Sequence, residues 1–219
     1  MRPRVVPSPD GHRIVTPAAL AVHGVVRSFR RRPVLRGASY EAYRGEILGI
    51  VGENGAGKST LLRITVGLLR PAVGTVRIAG RLGYCDQEPR LFPDLTVDEH
   101  FAYFARAYGL ASAGAWQARR DVLLEHFAFD GYRKVRATHL SGGTRQKLHL
   151  SLALLHQPDV LVLDEPYLAF DSETYLRFWE YTENARQDGA AIVVVSHVAH
   201  DRERFGRVLA LREGVLRCE

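Results

Sequence analysis

The chain reads as an α/β protein with a parallel, doubly wound core, and three observations carry that reading. First, a glycine-rich loop, Gly52-Glu53-Asn54-Gly55-Ala56-Gly57-Lys58-Ser59-Thr60, joins a run at 46–51 (EILGIV) that reads as a buried strand to a helix-like run at 61–69. Second, short continuous apolar runs recur at 160–163 and 191–195, as expected of strands buried on both faces. Third, strand-like and helix-like segments alternate through the second half of the chain, an order that builds a parallel sheet covered by helices.

The loop carries its own chemistry. Gly52 and Gly57 enclose four residues and are followed by Lys58 and Ser59, the pattern that cradles nucleotide phosphates. Glycines let successive backbone N–H groups turn inward as an anion nest, and the following helix points its positive end at the same place. Lys58 supplies a mobile cation for the β- and γ-phosphates, and the Ser59 hydroxyl suits Mg²⁺.

Composition bounds the rest. A chain of 219 residues suits one sizeable domain or a core with one inserted subdomain. It has no apolar run of about 18 residues, so it is expected not to span a membrane by itself, and its start lacks the apolar core of a signal peptide. Cys85 and Cys218 have no metal or disulfide spacing, which points to a reducing compartment. The net charge of +6 comes from arginine, since Lys58, Lys134 and Lys147 are the only lysines. The arginines are scattered, with one short run at Arg30-Arg31-Arg32. They read as a solvated surface, and nucleic acid is not the expected partner.

In chain order, residues 1–17 hold Pro3, Pro7, Pro9, Gly11 and Pro17 without any period and read as a disordered or loosely attached leader. Residues 18–217 read as one domain. Runs at 20–29, 38–43 and 75–79 are rich in β-branched and aromatic residues, predicting antiparallel strands around the phosphate strand. The stretch 83–93, with two prolines, reads as irregular. Thr96 and Glu99 then make a capping box, followed by Phe101, Phe104, Ala105 and Tyr108 at helical spacing until Gly109. A second helix is predicted over 116–127 with Leu123, Leu124 and Phe127 inward, and a third over 144–156 with Leu148, Leu152 and Leu155 on one face before Pro158. Together these place a helical subdomain at about 94–152. A helix over 172–187 closed by Gly189, and a hairpin over 208–217, complete the reading.

Asp164 and Glu165 follow the apolar run 160–163 directly. Carboxylates at the carboxyl end of a parallel strand face the crevice where ligands bind. Asp164 is placed to hold a Mg²⁺ shell and Glu165 to polarise a water for in-line attack on a γ-phosphate.

With these residues in order the chain resembles the nucleotide-binding subunits of ATP-binding cassette (ABC) transporters over roughly residues 20–215. Gly52–Thr60 resembles the Walker A loop, Val160–Glu165 the Walker B strand with its catalytic glutamate, and Leu140-Ser141-Gly142-Gly143 the family signature LSGGQ. Gln87 stands where the family has its Q-loop glutamine, Phe170-Asp171 at the end of its D-loop, Ser196-His197 at its switch histidine, and Phe29 where an aromatic stacks on adenine.

The resemblance implies a RecA-like P-loop NTPase core with an N-terminal antiparallel β subdomain and an inserted α-helical subdomain. It implies ATP and Mg²⁺ as ligands, with Gln87, Ser59 and Asp164 at the metal and Glu165, His197 and Lys58 at the chemical step. Ser141, Gly142 and Gly143 would meet the nucleotide of a second subunit, in a head-to-tail homodimer or heterodimer. The transport pathway would belong to separate integral-membrane subunits, placing the chain in the cytoplasm, peripheral on the inner face of the cell membrane. The stretch 91–97 (LFPDLTV) resembles bacterial exporters, while a soluble ABC ATPase acting on nucleic acid or a protein complex is the alternative. Three departures stand out: Thr144 in place of the signature Gln, Asp86 where proline is common before the Q-loop glutamine, and a short 74–83 region.

Overall fold

Strand β5 (Glu46–Val51) lies inside a six-stranded sheet, and its neighbours explain why it is buried along almost its whole length. In the computed structural model, which describes residues 5–7, 13–15, 17–30, 32–110, 114–196 and 199–219, β5 pairs in parallel with β9 (Ala191–Val195) and β10 (Arg207–Arg212). Beyond β9 come β8 (Val160–Asp164) and β7 (Leu82–Cys85), also parallel. Antiparallel β11 (Val215–Cys218) closes the other edge, outside β10.

Both faces of this sheet are covered, and the period of two shows it. Leu161, Leu163, Ile192 and Val194 join one apolar cluster, which contains α2 (Val97–Ala107), α3 (Ala115–His126), α4 (Gly142–Leu154) and α5 (Ser172–Gln187) residues. Val160, Val162, Val193 and Val195 join the other cluster, with α1 (Lys58–Thr65). That second cluster also contains the inner face of a three-stranded antiparallel sheet of β4 (Arg32–Ala42), β3 (Leu20–Phe29) and β6 (Val73–Ile78). The architecture is therefore the expected mixed α/β one, with an antiparallel sheet beside a parallel core.

Several boundaries depart from the sequence reading. The stretch taken as irregular from 83 begins inside β7, whose Gly83 packs so closely that a Cβ would meet the Ala153 carbonyl oxygen at 2.5 Å. Helix α1 stops at Thr65, short of 69, because Gly67 takes a left-handed φ of 81°. Helix α4 starts two residues early, at Gly142, where the Ser141 side chain caps it. Within 1–17, read as a disordered or loosely attached leader, β1 (Val5–Pro7) and β2 (Arg13–Val15) form a short ribbon that, among the described residues, shares no ladder with the other sheets. Its partners Val5↔Val15 and Val6↔Ile14 are β-branched, residue types that favour pairing. Such a ribbon is marginal by itself.

Candidate functional site

The strand order puts β9 between β5 and β8, and the register aligns their carboxyl ends: Ile50↔Val195 on one side, Asp164↔Val195 on the other. The phosphate loop and the acidic pair are thus two strand spacings apart, about 10 Å. Cys85 pairs with Leu163, so Asp86 and Gln87 leave the sheet beside Asp164 and Glu165.

The loop's glycines are required by its surroundings. A Cβ on Gly52 would meet the Leu211 carbonyl oxygen at 2.7 Å, and one on Gly57 would meet Val34 Cγ1 at 2.8 Å. Gly55 and Gly57 take φ of 81° and 103°, a region open to glycine at little steric cost. Helix α1 has no side-chain cap and no acid in its first turn. Its leading amides and positive dipole end therefore face the loop without a side-chain partner, as an anion site requires. The Lys58 ammonium donates to the carbonyl oxygens of Gly52 (2.7 Å) and Glu53 (3.1 Å), so it already lies along the loop. Glu53, Asn54 and Gly55 are exposed. With Ala56 they border an open cleft of about 1080 Å³ between the loop and the β10–β11 ribbon. Ser59 and Thr60 are half-buried in the first turn of α1.

On β8, Asp164 is 1% exposed. The Ser59 hydroxyl stands beside its carboxyl and favours the charged form, while Asp164 Oδ2 is buried with no hydrogen-bond partner. Burial is the main cause that holds this carboxyl above its ordinary range, with the charges of Glu165 and Asp86 adding to it. An orphaned buried carboxylate oxygen beside a hydroxyl is a pair of hard donors that fits Mg²⁺.

Glu165 sits in a left-handed turn at φ 47°, its N–H bonded to the Val195 carbonyl oxygen at 3.1 Å. Its Oε2 accepts a 3.0 Å hydrogen bond from Gln87 Nε2. Lys58, Ser59, Asp164, Glu165 and Gln87 therefore lie together at the carboxyl edge of the sheet. Ser196 follows β9, and its N–H bonds the Ile50 carbonyl oxygen at 3.1 Å. His197 lies outside the described residues.

The signature stands on a separate element. Ser141 Oγ accepts from the Thr144 N–H at 3.1 Å and shares a 2.9 Å hydrogen bond with Thr144 Oγ1. Thr144, the departure from the family pattern, is thus part of the cap. Ser141 and Gly142 are exposed, and Gly142 has nothing within 4 Å of the place a Cβ would take. Gly143 is confined: a Cβ would meet the Ala169 carbonyl oxygen at 2.9 Å. Gln146 donates to the Pro166 carbonyl oxygen at 3.0 Å, tying α4 to the turn after Glu165. Asp171 caps α5 through the Thr174 N–H at 2.7 Å. Phe29, expected at a base, is 44% exposed at the end of β3, with the Arg27 guanidinium 5.0 Å from its ring centre.

Sequence reasoning missed the polar network around Asp86. This carboxylate is 3% exposed and meets Arg63 of α1, Arg90 and the Gln87 N–H. A lone Asp before Gln carries no period, so the only signal was its departure from proline.

The parallel sheet, the phosphate loop at a strand-to-helix junction and the acidic pair two strands away define a P-loop NTPase domain. Residues 35–168 match the family model described as ABC transporter. The chain belongs to that family and carries its ATP-binding ATPase domain. It is 33% identical over 210 residues to the Nod factor export ATP-binding protein I of Paraburkholderia xenovorans (strain LB400), covering 90% of this chain and 69% of that protein. The corresponding protein of Ralstonia nicotianae is covered over 65% of its length, so the chain spans about two thirds of these relatives. A solved ATP-binding subunit of an ABC transporter superposes with a TM-score of 0.86 at 28% identity, over 90% of this chain and 88% of that one. An ATP-binding cassette solved as a dimer in a post-hydrolysis state with ADP and Pi has a TM-score of 0.82 at 23% identity, over 91% and 97%. At that identity it speaks for the fold.

Proposed function

We propose that the chain hydrolyses ATP to power a membrane exporter, pairing head to tail with a second ATP-binding subunit and docking on separate integral-membrane subunits. The observation that carries the ATPase reading is the Glu165 carboxylate, held by Gln87 beside the orphaned Asp164 oxygen. Export is supported by the names of the two relatives described above, both Nod factor export ATP-binding proteins. The chain would work at the inner face of the membrane. No helix among the described residues is long and apolar enough to cross it.

In this reading Lys58 exchanges the Gly52 and Glu53 carbonyls for the β- and γ-phosphates. Because the ammonium already sits among backbone acceptors, the exchange leaves no donor unpaired. The Gly55–Thr60 amides receive the remaining phosphate oxygens, and Phe29 offers its exposed ring to the base. Ser59 and Asp164 would hold Mg²⁺ with Gln87 reaching in from the side, and the ion supplies charge neutralisation on the phosphates. Glu165 accepts the proton of the attacking water, oriented by Gln87, and His197 steadies the γ-phosphate. Ser141 and the amides of Gly142 and Gly143 cap the nucleotide of the partner subunit, so ATP shifts an open–closed equilibrium of the pair.

The test is Glu165→Gln, which keeps size and removes charge. Turnover falls by about 10²- to 10⁴-fold while ATP binding persists and a closed dimer accumulates on gel filtration. Hydrolysis at the parent rate would remove Glu165 from the chemical step. Co-purification with a polytopic membrane protein tests the exporter assignment, and recovery with ribosomes or nucleic acid alone would overturn it.

A further inference from the structure

We propose that Asp86 is a positioning residue for the hydrolysis reaction: it fixes the segment that carries Gln87 so that the Gln87 amide meets Glu165. This rests on the reading of Glu165 as the group that takes the water's proton.

A carboxylate that is 3% exposed must be met by donors or opposite charge, because desolvation without partners is expensive. Both Asp86 oxygens are engaged. Oδ1 accepts the Gln87 backbone N–H at 3.0 Å. Oδ2 accepts Arg90 Nε at 3.1 Å and lies 3.8 Å from Arg63 Nη2. These donors belong to three places: the residue that carries the amide, a residue one turn further along the same segment, and the helix that begins with Lys58 and Ser59. Segment 86–90 is thus folded around one carboxylate and tied to α1.

The other end of the same path is equally defined. The register Cys85↔Leu163 sets the end of β7 beside β8, and Gln87 Nε2 reaches Glu165 Oε2 at 3.0 Å. Gln87 itself is an exposed residue, so its own burial does not fix its backbone. The hydrogen bond to Asp86 is what aims it. Asp86 is not a further ligand of the kind Asp164 offers, since its two oxygens are occupied and Asp164 Oδ2 is the one without a partner. Its action on the reaction passes through Gln87.

Removing the carboxylate therefore changes where the Gln87 amide sits, while the phosphate loop keeps its own contacts. Misplacing a positioned group by about an ångström lowers rates by up to about 10²-fold. The experiment is a double-mutant cycle on steady-state ATPase activity with Asp86→Ala, Gln87→Ala and the double variant, melting temperatures being recorded for each. Asp86→Ala is expected to lower kcat on the order of 10- to 10²-fold with KM for ATP nearly unchanged, and to add almost nothing once Gln87 is alanine. Asp86→Asn, which keeps an acceptor for the Gln87 N–H, is expected to recover part of the loss. Arg90→Gln alters an exposed side chain and serves should Asp86→Ala fold poorly; it lowers kcat less, and again not in the Gln87→Ala background.

Losses that multiply in the double variants mean that Asp86 acts by stability alone and overturn the proposal, as does an unchanged kcat in both Asp86→Ala and Arg90→Gln. Those results leave the ATPase reading standing when the parent turns over ATP. A parent chain without turnover overturns both.

Discussion

The phosphate loop with its acidic pair and the signature loop are both built on a helix N-terminus, yet one is finished and the other open. Around the first, Lys58, Asp164 and Glu165 are 7%, 1% and 7% exposed, Lys58 bonded to its own loop's carbonyls and Glu165 to Gln87 of another segment. Around the second, Ser141 and Gly142 are exposed and the side-chain bonds of Ser141 stay within its own cap, to Thr144. The difference teaches that burial alone arranges the chemical groups in one chain. The signature is held ready by capping and offers its outer side to whatever docks there. Gly143 shows the same division on a small scale, pinned on the inner side by Ala169 while Gly142 beside it has open space.

Substitutions that break the finished region should have the largest effects. Lys58→Ala removes the cation lying along the loop. Turnover is expected to vanish and ATP affinity to fall by about 10- to 100-fold, the worth of a hydrogen bond to a charged group, as read by nucleotide titration. Affinity equal to the parent's would contradict the assignment of the loop. Ser141→Arg fills the open region instead. It is expected to reduce turnover at least about 10-fold while the isolated chain binds ATP as before, so a matching loss of affinity would blur the distinction between the regions.

A smaller effect is expected at Phe29, whose exposed ring belongs to neither helix terminus. Phe29→Ala should weaken ATP binding by about 1–3 kcal/mol, the usual worth of stacking a base on an aromatic ring, with kcat at saturating ATP unchanged. A drop in kcat alone would place Phe29 elsewhere in the cycle. Smallest of all, Thr96→Ala removes the capping box of α2, in which Thr96 and Glu99 bond reciprocally. It should lower stability by about 1 kcal/mol and the melting temperature by about 2–4 °C, leaving ATPase activity intact.

Much of this could be read from the residues because local signals and burial agreed. The strand at 46–51, the helix at 172–187 and the strand at 191–195 appear with the predicted bounds. Each is flanked by a turn glycine or a capping side chain such as Asp171. The constellation of Lys58, Ser59, Asp164 and Glu165 was legible from spacing, since a loop after one buried strand and two acids after another must meet at the carboxyl edge. Strand β7 was not legible, because four residues with a glycine among them give too short a period. The role of Asp86 was hidden for a different reason. Its partners Arg63 and Arg90 are ordinary surface arginines until the fold brings them to one buried carboxylate. Nor could Thr144 be read as part of a cap before the Ser141 hydroxyl was seen to bond it.

The central claim, that the finished and the open region serve one nucleotide only across two copies of the chain, is tested most directly by complementation. Lys58→Ala and Ser141→Arg proteins are each assayed for ATPase activity alone and after mixing, with mixed dimers verified by cross-linking. If the pair is homodimeric, a mixed dimer holds one site with both lesions and one with neither. The account predicts two inactive proteins and partial activity in the mixture only. A mixture as inactive as its components, with mixed dimers present, would contradict it.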